Sequence, residues 1–262
     1  MNIVSLENIS KNYGFRPLFE GVTVGLEDRD KVGVIGANGS GKTTFLRILA
    51  GLEEPDRGRV VRAKGKTLAY LSQNPAYDEN LTVLETIFAS SSGVMQTIRD
   101  YEAACYDLAA GIHDAILLKR MSELQHELEL NGGWEIEANA RAVLTKLDIT
   151  DTSAKMGELS GGQRKRVALA HELIFKPDIL ILDEPTNHLD ADTIEWLESY
   201  LARYTGMLLL VTHDRYFLDR VTDRIFEVDR GAVQNFSGNY AYYLEKKAEQ
   251  EELRAVEGHK RD

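Results

Sequence analysis

The chain has 262 residues, 43% of them hydrophobic and 28% charged. That balance excludes disorder, a collagen-like repeat and a disulfide scaffold, and leaves room for one elaborated α/β domain, the favoured reading, or two small domains sharing a core. A formal net charge of -11 opposes unaided wrapping of nucleic acid, the lone Cys105 allows no internal disulfide, and neither a leader pattern nor an apolar run of membrane-spanning length occurs, so the reading is a cytoplasmic globular protein without membrane insertion of its own.

Residues 1–30 alternate apolar and polar positions in short runs, as in Val22-Thr23-Val24-Gly25-Leu26, which predicts a layer of half-exposed antiparallel strands. Lys31 to Ile35 then reads as a strand running into Gly36-Ala37-Asn38-Gly39-Ser40-Gly41-Lys42-Thr43. A helix over Lys42 to Ala50 follows, burying Phe45, Leu46 and Leu49 and stopping at Gly51. The octapeptide matches the phosphate-binding loop, and it stands where that loop must stand, between a strand and a helix. Glycines let backbone N–H groups turn inward around phosphates, and the helix N-terminus adds its positive end. Lys42 is then expected to reach the β- and γ-phosphates of ATP, with Thr43 as a ligand of Mg2+ and Thr44 as a further nucleotide contact.

The Pro55-Asp56-Arg57-Gly58 turn precedes two strand-like runs, Arg59 to Ala63 and Thr67 to Leu71. Gln73 closes the second run, in position to bridge a metal and the helical stretch beyond. Within that stretch Val94, Ile98, Tyr101, Cys105 and Leu108 recur at spacings of four and three. After a break at Gly111 to Asp114, Leu117, Met121, Leu124 and Leu128 repeat the pattern, which predicts an antiparallel helical hairpin. Each helix is about 25 Å long at about 1.5 Å per residue, enough to project as an arm over about 90–133; the alternative is a two-helix insertion packed on the body. A further helix over Trp134 to Leu147 leads to Leu159-Ser160-Gly161-Gly162-Gln163, whose serine and glycines open a helix over Arg164 to Phe175 with bare N–H groups able to face an anion.

Ile179 to Leu182 and Met207 to Val211 are unbroken apolar runs separated by an amphipathic helix carrying Ile194, Leu197 and Leu201, the pattern of a βαβ unit in a parallel sheet. Asp183 and Glu184 end the first run, at the strand end where α/β sheets hold their ligands. Asp183 suits Mg2+, and Glu184 suits a general base on the attacking water. His213 follows the second run in the same way and should reach the same sheet end to touch the γ-phosphate. Residues 240–262 are densely charged and helical in propensity, either the start of a linker or a surface helix ending the domain.

Taken in order, Tyr13, the phosphate loop, Gln73, Leu159 to Gln163, Asp183-Glu184 and His213 resemble the ATP-binding cassette (ABC) family over about residues 1–237. The resemblance implies an α/β P-loop cassette with a mostly parallel sheet core, an antiparallel β-subdomain and an α-helical subdomain. It implies that Tyr13 stacks on adenine and that the cassette, residues 1–239, is a Mg2+-dependent ATPase with Lys42, Glu184 and His213 in catalysis. It also implies that Ser160, Gly161, Gly162 and Gln163 face the γ-phosphate held by a second cassette, so that ATP joins the two. Asn187-His188-Leu189-Asp190 looks like the ABC-F branch, and the hairpin, Phe236 to Tyr240 and the charged tail agree with its arm and interdomain linker. That branch carries two cassettes in one chain and acts on ribosomes. The expectation is therefore an N-terminal cassette with the first part of a linker, contacting the ribosome through the hairpin tip near Lys119 and Arg120 and through the remainder of the linker. The alternatives are the ATP-binding subunit of a membrane ABC transporter and a slowly hydrolysing clamp in DNA maintenance, which the acidic charge disfavours.

Overall fold

The computed structural model describes residues 2–14, 16–89 and 93–259. Positions 90–92, at the start of the expected arm, and 260–262, at the end of the expected linker, lie outside the described residues. The chain divides into two compact units, residues 1–73 with 176–262, and residues 74–175.

The first unit holds two sheets. Strands β1 (Asn2–Tyr13), β2 (Arg16–Glu27) and β4 (Arg57–Arg62) form an antiparallel layer in the order β2-β1-β4. The expected short strands are in fact two of 12 residues each. Register shifts between Leu6 and Ile9, where Asn8 adopts φ 53°, break the alternation and make long strands read as fragments. The second sheet runs β5 (Leu68–Leu71), β6 (Ile179–Asp183), β7 (Met207–Val211), β3 (Lys31–Ile35), β8 (Arg224–Asp229) and β9 (Ala232–Ser237). All its pairings are parallel except β8 with β9. Every residue of β6 and β7 is buried, which explains their unbroken apolar spelling.

Helix α1 (Lys42–Ala50) buries Phe45, Leu46, Ile48 and Leu49, each worth about 1.5–3 kcal/mol of apolar burial. Phe45 meets Phe19 and Phe226 at ring-centroid distances of 5.9 and 6.2 Å, joining the antiparallel layer and the parallel sheet in one core. Helix α7 (Ala191–Ala202) crosses from β6 to β7 as expected. Helix α8 (Arg215–Val221) and the β8–β9 hairpin had no counterpart in the sequence reading. The hairpin turns at Arg230 and Gly231, with φ 48° and 82°. Both central residues have the positive φ of a tight two-residue turn, and arginine in place of the usual asparagine hides the signal. Helix α9 (Tyr240–His259) begins where the charged tail was expected, but its first turns are docked. Tyr243 Oη and Lys247 Nζ donate to the buried Glu227 at 2.9 and 2.7 Å, and Ala241 N donates to Asp219 at 2.8 Å.

The second unit is helical: α2 (Val83–Ile87), α3 (Gly93–Ala109), α4 (Ala115–Leu130), α5 (Gly133–Lys146) and α6 (Gly161–Ile174). Helices α3 and α4 form a hairpin, pinned by Thr97 Oγ1 donating to Glu127 at 2.9 Å and by Arg120 on Asp100 at 3.2 Å. The face of α3 differs from the expected stripe. Met95, Thr97, Ile98, Tyr101 and Ala104 are buried, whereas Val94, Cys105 and Leu108 are half-buried. The face turns because the Thr97 hydroxyl is satisfied by Glu127 and because Tyr101 stacks edge-on against Trp134 of α5. The turn end of the hairpin stays open, with Ile116 80% exposed.

Candidate active site

Parallel strands β6, β7 and β3 are neighbours, so the loops after their carboxyl ends gather at one edge of the sheet. The loop after β3 is the glycine octapeptide. Gly36 sits at φ 154°, and a Cβ there would lie 2.4 Å from the Val228 carbonyl oxygen and 2.6 Å from Ser40 Oγ, so a side chain is barred by backbone. Ser40 N donates to Ala37 O at 3.1 Å, and Phe45 N to Gly41 O at 2.8 Å, which closes the loop onto the first turn of α1. Lys42 Nζ arches back to donate to the carbonyls of Gly36 at 2.9 Å and Ala37 at 3.1 Å. Burial lowers the proton affinity of Lys42, against the pull of Glu184 and Asp183.

Thr43 Oγ1 donates to Asp183 Oδ2 at 2.9 Å. Asp183 is 2% exposed; burial raises its pKa, opposed by the Thr43 bond and the Lys42 charge. Glu184 follows at a bend with φ 55°, and burial raises its pKa as well, opposed by His213. The backbone N–H of His213 donates to Glu184 Oε2 at 3.3 Å, and His213 Nε2 lies 3.3 Å from Oε1. One carboxylate is thus gripped from two sides by a single residue of the next loop.

These groups surround a cavity of about 540 Å³, also lined by Tyr13, Leu18, Asn38, Gly39, Gly41, Thr44 and Gln73. Of the residues the sequence singled out in this unit, Gly36, Ala37 and Ser40 shape the loop without lining the cavity. A hydroxyl, a carboxylate and the Gln73 amide are hard oxygen donors, and the described residues offer no cluster of three or more His, Cys, Asp or Glu. Such a set fits a divalent cation that completes its shell with phosphates and water, the habit of Mg2+.

Tyr13 is 54% exposed, and its hydroxyl donates to Glu53. Lys11 Nζ lies 3.2 Å from the same carboxyl group and 5.7 Å from the Tyr13 ring centroid, and Arg47 Nε is 3.2 Å from its other oxygen. Against the desolvation of its partial burial, the Tyr13 hydrogen bond together with Lys11 and Arg47 holds Glu53 below the usual carboxylate range. Leu18 and Glu53 escaped the sequence reading: one is a single apolar residue in an alternating strand, the other lies in an acidic turn.

In the helical unit Ser160 caps α6. Ser160 Oγ accepts from Gln163 N at 3.3 Å, while Gln163 Oε1 accepts from Ser160 N at 2.8 Å. This reciprocal pair leaves the Ser160 O–H, the side-chain amide N–H groups of Gln163 and the backbone N–H groups of Gly161 and Gly162 for an outside acceptor. Arg164 stiffens the segment by donating to the Met156 and Gly157 carbonyls at 3.0 and 2.9 Å and stacking on Tyr77 at 4.8 Å.

The ABC transporter family profile matches residues 19–187, more than half of the chain. A Bacillus subtilis protein described as an uncharacterized ABC transporter ATP-binding protein, YfmR, is 45% identical over 251 residues, covering 96% of this chain and 40% of that protein. The energy-dependent translational throttle protein EttA of Mycobacterium tuberculosis is 40% identical over 258 residues, covering 98% of this chain and 46% of that protein. The chain therefore spans less than half the length of these relatives. Among solved structures, the ATP-binding cassette MJ0796, a dimer in a post-hydrolysis state bound to ADP and Pi, matches with a TM-score of 0.63 at 21% identity over 90% of this chain and 98% of that one. No helix among the described residues is long and apolar enough to cross a membrane. A glycine loop after β3, an acidic pair at the carboxyl end of β6 and a histidine after β7 on one cavity agree with the profile match, and the chain belongs to the ABC transporter family as an ATP-binding cassette with similarity to its F branch.

Proposed function

We propose that the chain binds ATP with Mg2+ in the cavity at the sheet edge and hydrolyses it to ADP and phosphate. The observation that carries this reading is the convergence of Lys42, Thr43, Asp183, Glu184 and His213 on that one cavity. Lys42 moves its ammonium from the Gly36 and Ala37 carbonyls to the β- and γ-phosphate oxygens, exchanging neutral acceptors for charged ones. Tyr13 offers a ring face to the adenine, and Thr43, Asp183 and Gln73 would hold the metal. Bound there, Mg2+ would neutralise charge on the phosphates. Glu184 orients the attacking water and takes its proton, a role typically worth about 10²–10⁴-fold, and burial tunes its basicity upward for the task. His213 holds Glu184 in place and reaches the γ-phosphate.

Glu184→Gln tests the assignment. ATP affinity is expected to stay within about threefold of the unaltered chain while turnover falls at least about a hundredfold; parallel loss of binding and turnover would make Glu184 a structural residue.

The opened N-terminus of α6, with Ser160 to Gln163, supports completion of each site by a second cassette, and MJ0796 is described as a dimer. The Asn187 to Asp190 segment and the likeness to a translational throttle protein support an ABC-F role on the ribosome. The whole protein carrying Glu184→Gln should co-sediment with ribosomes in ATP and not without nucleotide; no enrichment would contradict the ribosomal role. The description of YfmR supports a second reading, the ATP-binding subunit of a transporter, for which co-purification with a membrane subunit is the discriminating result.

A further inference from the structure

The last paired residues of β6 and β7 are Asp183 and Val211. Beyond them the two segments stay joined. Glu184 N donates to Val211 O at 2.8 Å, and two residues further Thr186 Oγ1 and Thr212 Oγ1 lie 3.1 Å apart. Thr212 is 6% exposed, and its hydroxyl also accepts from Asp214 N at 3.1 Å. A hydroxyl that accepts from Asp214 still has a proton and a second lone pair, so either threonine can donate to the other, and the side-chain bond forms an extra rung past the end of the ladder.

Glu184 and Pro185 lie between the backbone rung and the hydroxyl rung. Glu184 is at φ 55°, a conformation that a β-unbranched, non-glycine residue keeps only when its surroundings hold it. On one side it is held by Val211 O, and its carboxylate meets His213. On the other side the hydroxyl rung closes a short loop, Glu184 to Thr186 against Val211 to His213. The far end of the bend also carries its own turn bonds, Asn187 N to Glu184 O at 3.4 Å and Leu189 N to Thr186 O at 3.2 Å, so the hydroxyl rung is what ties that turn sideways to the loop after β7.

We propose that Thr212 and Thr186 are positioning residues whose hydroxyl–hydroxyl bond fixes Glu184 against His213, coupling the loop after β6 to the loop after β7. The inference rests on the ATPase reading above. Neither threonine lines the nucleotide cavity, so ATP affinity should be spared.

The test compares the unaltered chain with Thr212→Val, Thr212→Ser and Thr186→Val, reading kcat, KM and equilibrium ATP affinity. Valine keeps the volume and removes only the hydroxyl. Each valine variant is expected to lose about tenfold or more in kcat with KM and ATP affinity within about twofold, and Thr212→Ser to recover kcat to within about threefold. The double valine variant should be no worse than Thr212→Val alone, since Thr186→Val removes only the bond that Thr212→Val has already lost, the Asp214 N bond to Thr212 being lost in both. If the unaltered chain turns over ATP and the valine variants do likewise, or if serine fails to restore what valine removes, or if valine lowers ATP affinity as much as kcat, the proposal is overturned. Absence of turnover in the unaltered chain would instead defeat the ATPase reading.

Discussion

Lys42 donates to two loop carbonyls that a nucleotide would release, so its charge is already aimed along the path the phosphates would take. Lys42→Met should weaken ATP binding by at least about tenfold, the worth of one charge-assisted hydrogen bond, as read by titration with a fluorescent nucleotide. Tyr13 is proposed as a different kind of contact, a ring whose hydroxyl is committed to Glu53. If Glu53 acts by holding that ring, Tyr13→Phe and Glu53→Gln should each raise the KM for ATP about two- to fivefold with kcat unchanged, and the double variant should match the single ones. Additive effects would separate the two residues. The phosphate loop, the acidic pair and His213 were legible because each is written into a short stretch whose strand placement the apolar runs announce. Glu53, Thr186 and Thr212 were not, because what they do depends on partners 40 and 26 positions away.

Elements were legible where one physical rule dominates. The buried strands β6 and β7 and helix α1 are spelled by continuous or 3.6-period apolar residues, and the structure has them at the expected positions. The face of α3 was harder, because a buried threonine satisfied by a glutamate looks polar in sequence and apolar in place. Helix α3 also carries Glu102, which lies with Glu137 and Arg141 of α5. Arg141 is bonded to Glu137, and its Nη2 approaches Glu102 Oε1 at 3.0 Å without hydrogen-bond geometry. Burial pushes the Glu102 carboxyl from an ordinary 4.5 up to about 7, with Arg141 opposing and Glu137 reinforcing the rise. Because the folded form binds the proton more tightly, this group's contribution to stability is complete below about pH 4.5 and is lost as pH rises through about 7. The chain should therefore melt lower at pH 8 than at pH 6 relative to Glu102→Gln, and a constant difference between the two proteins would contradict the shift. At the start of α6, Ser160→Ala should cost about 1 kcal/mol of stability through loss of the cap.

At the scale of the whole molecule, the parallel sheet with its antiparallel layer and the helical unit are what the ordered motifs implied, and the TM-score against MJ0796 bears out the cassette fold. Less legible was the seating of α9, whose charged surface concealed a docking end. Lys247 neutralises and Tyr243 hydrogen-bonds a glutamate on the strand beside β3, so the helix leaves the cassette from a fixed point. The functional core of the account is that one cassette holds the nucleotide and a second completes the site. The most direct test is ATP turnover per chain measured from nanomolar to micromolar chain concentration with saturating Mg2+ and ATP. The account predicts a specific rate that climbs with concentration and levels off once pairs dominate; a specific rate that stays constant across the range would contradict it.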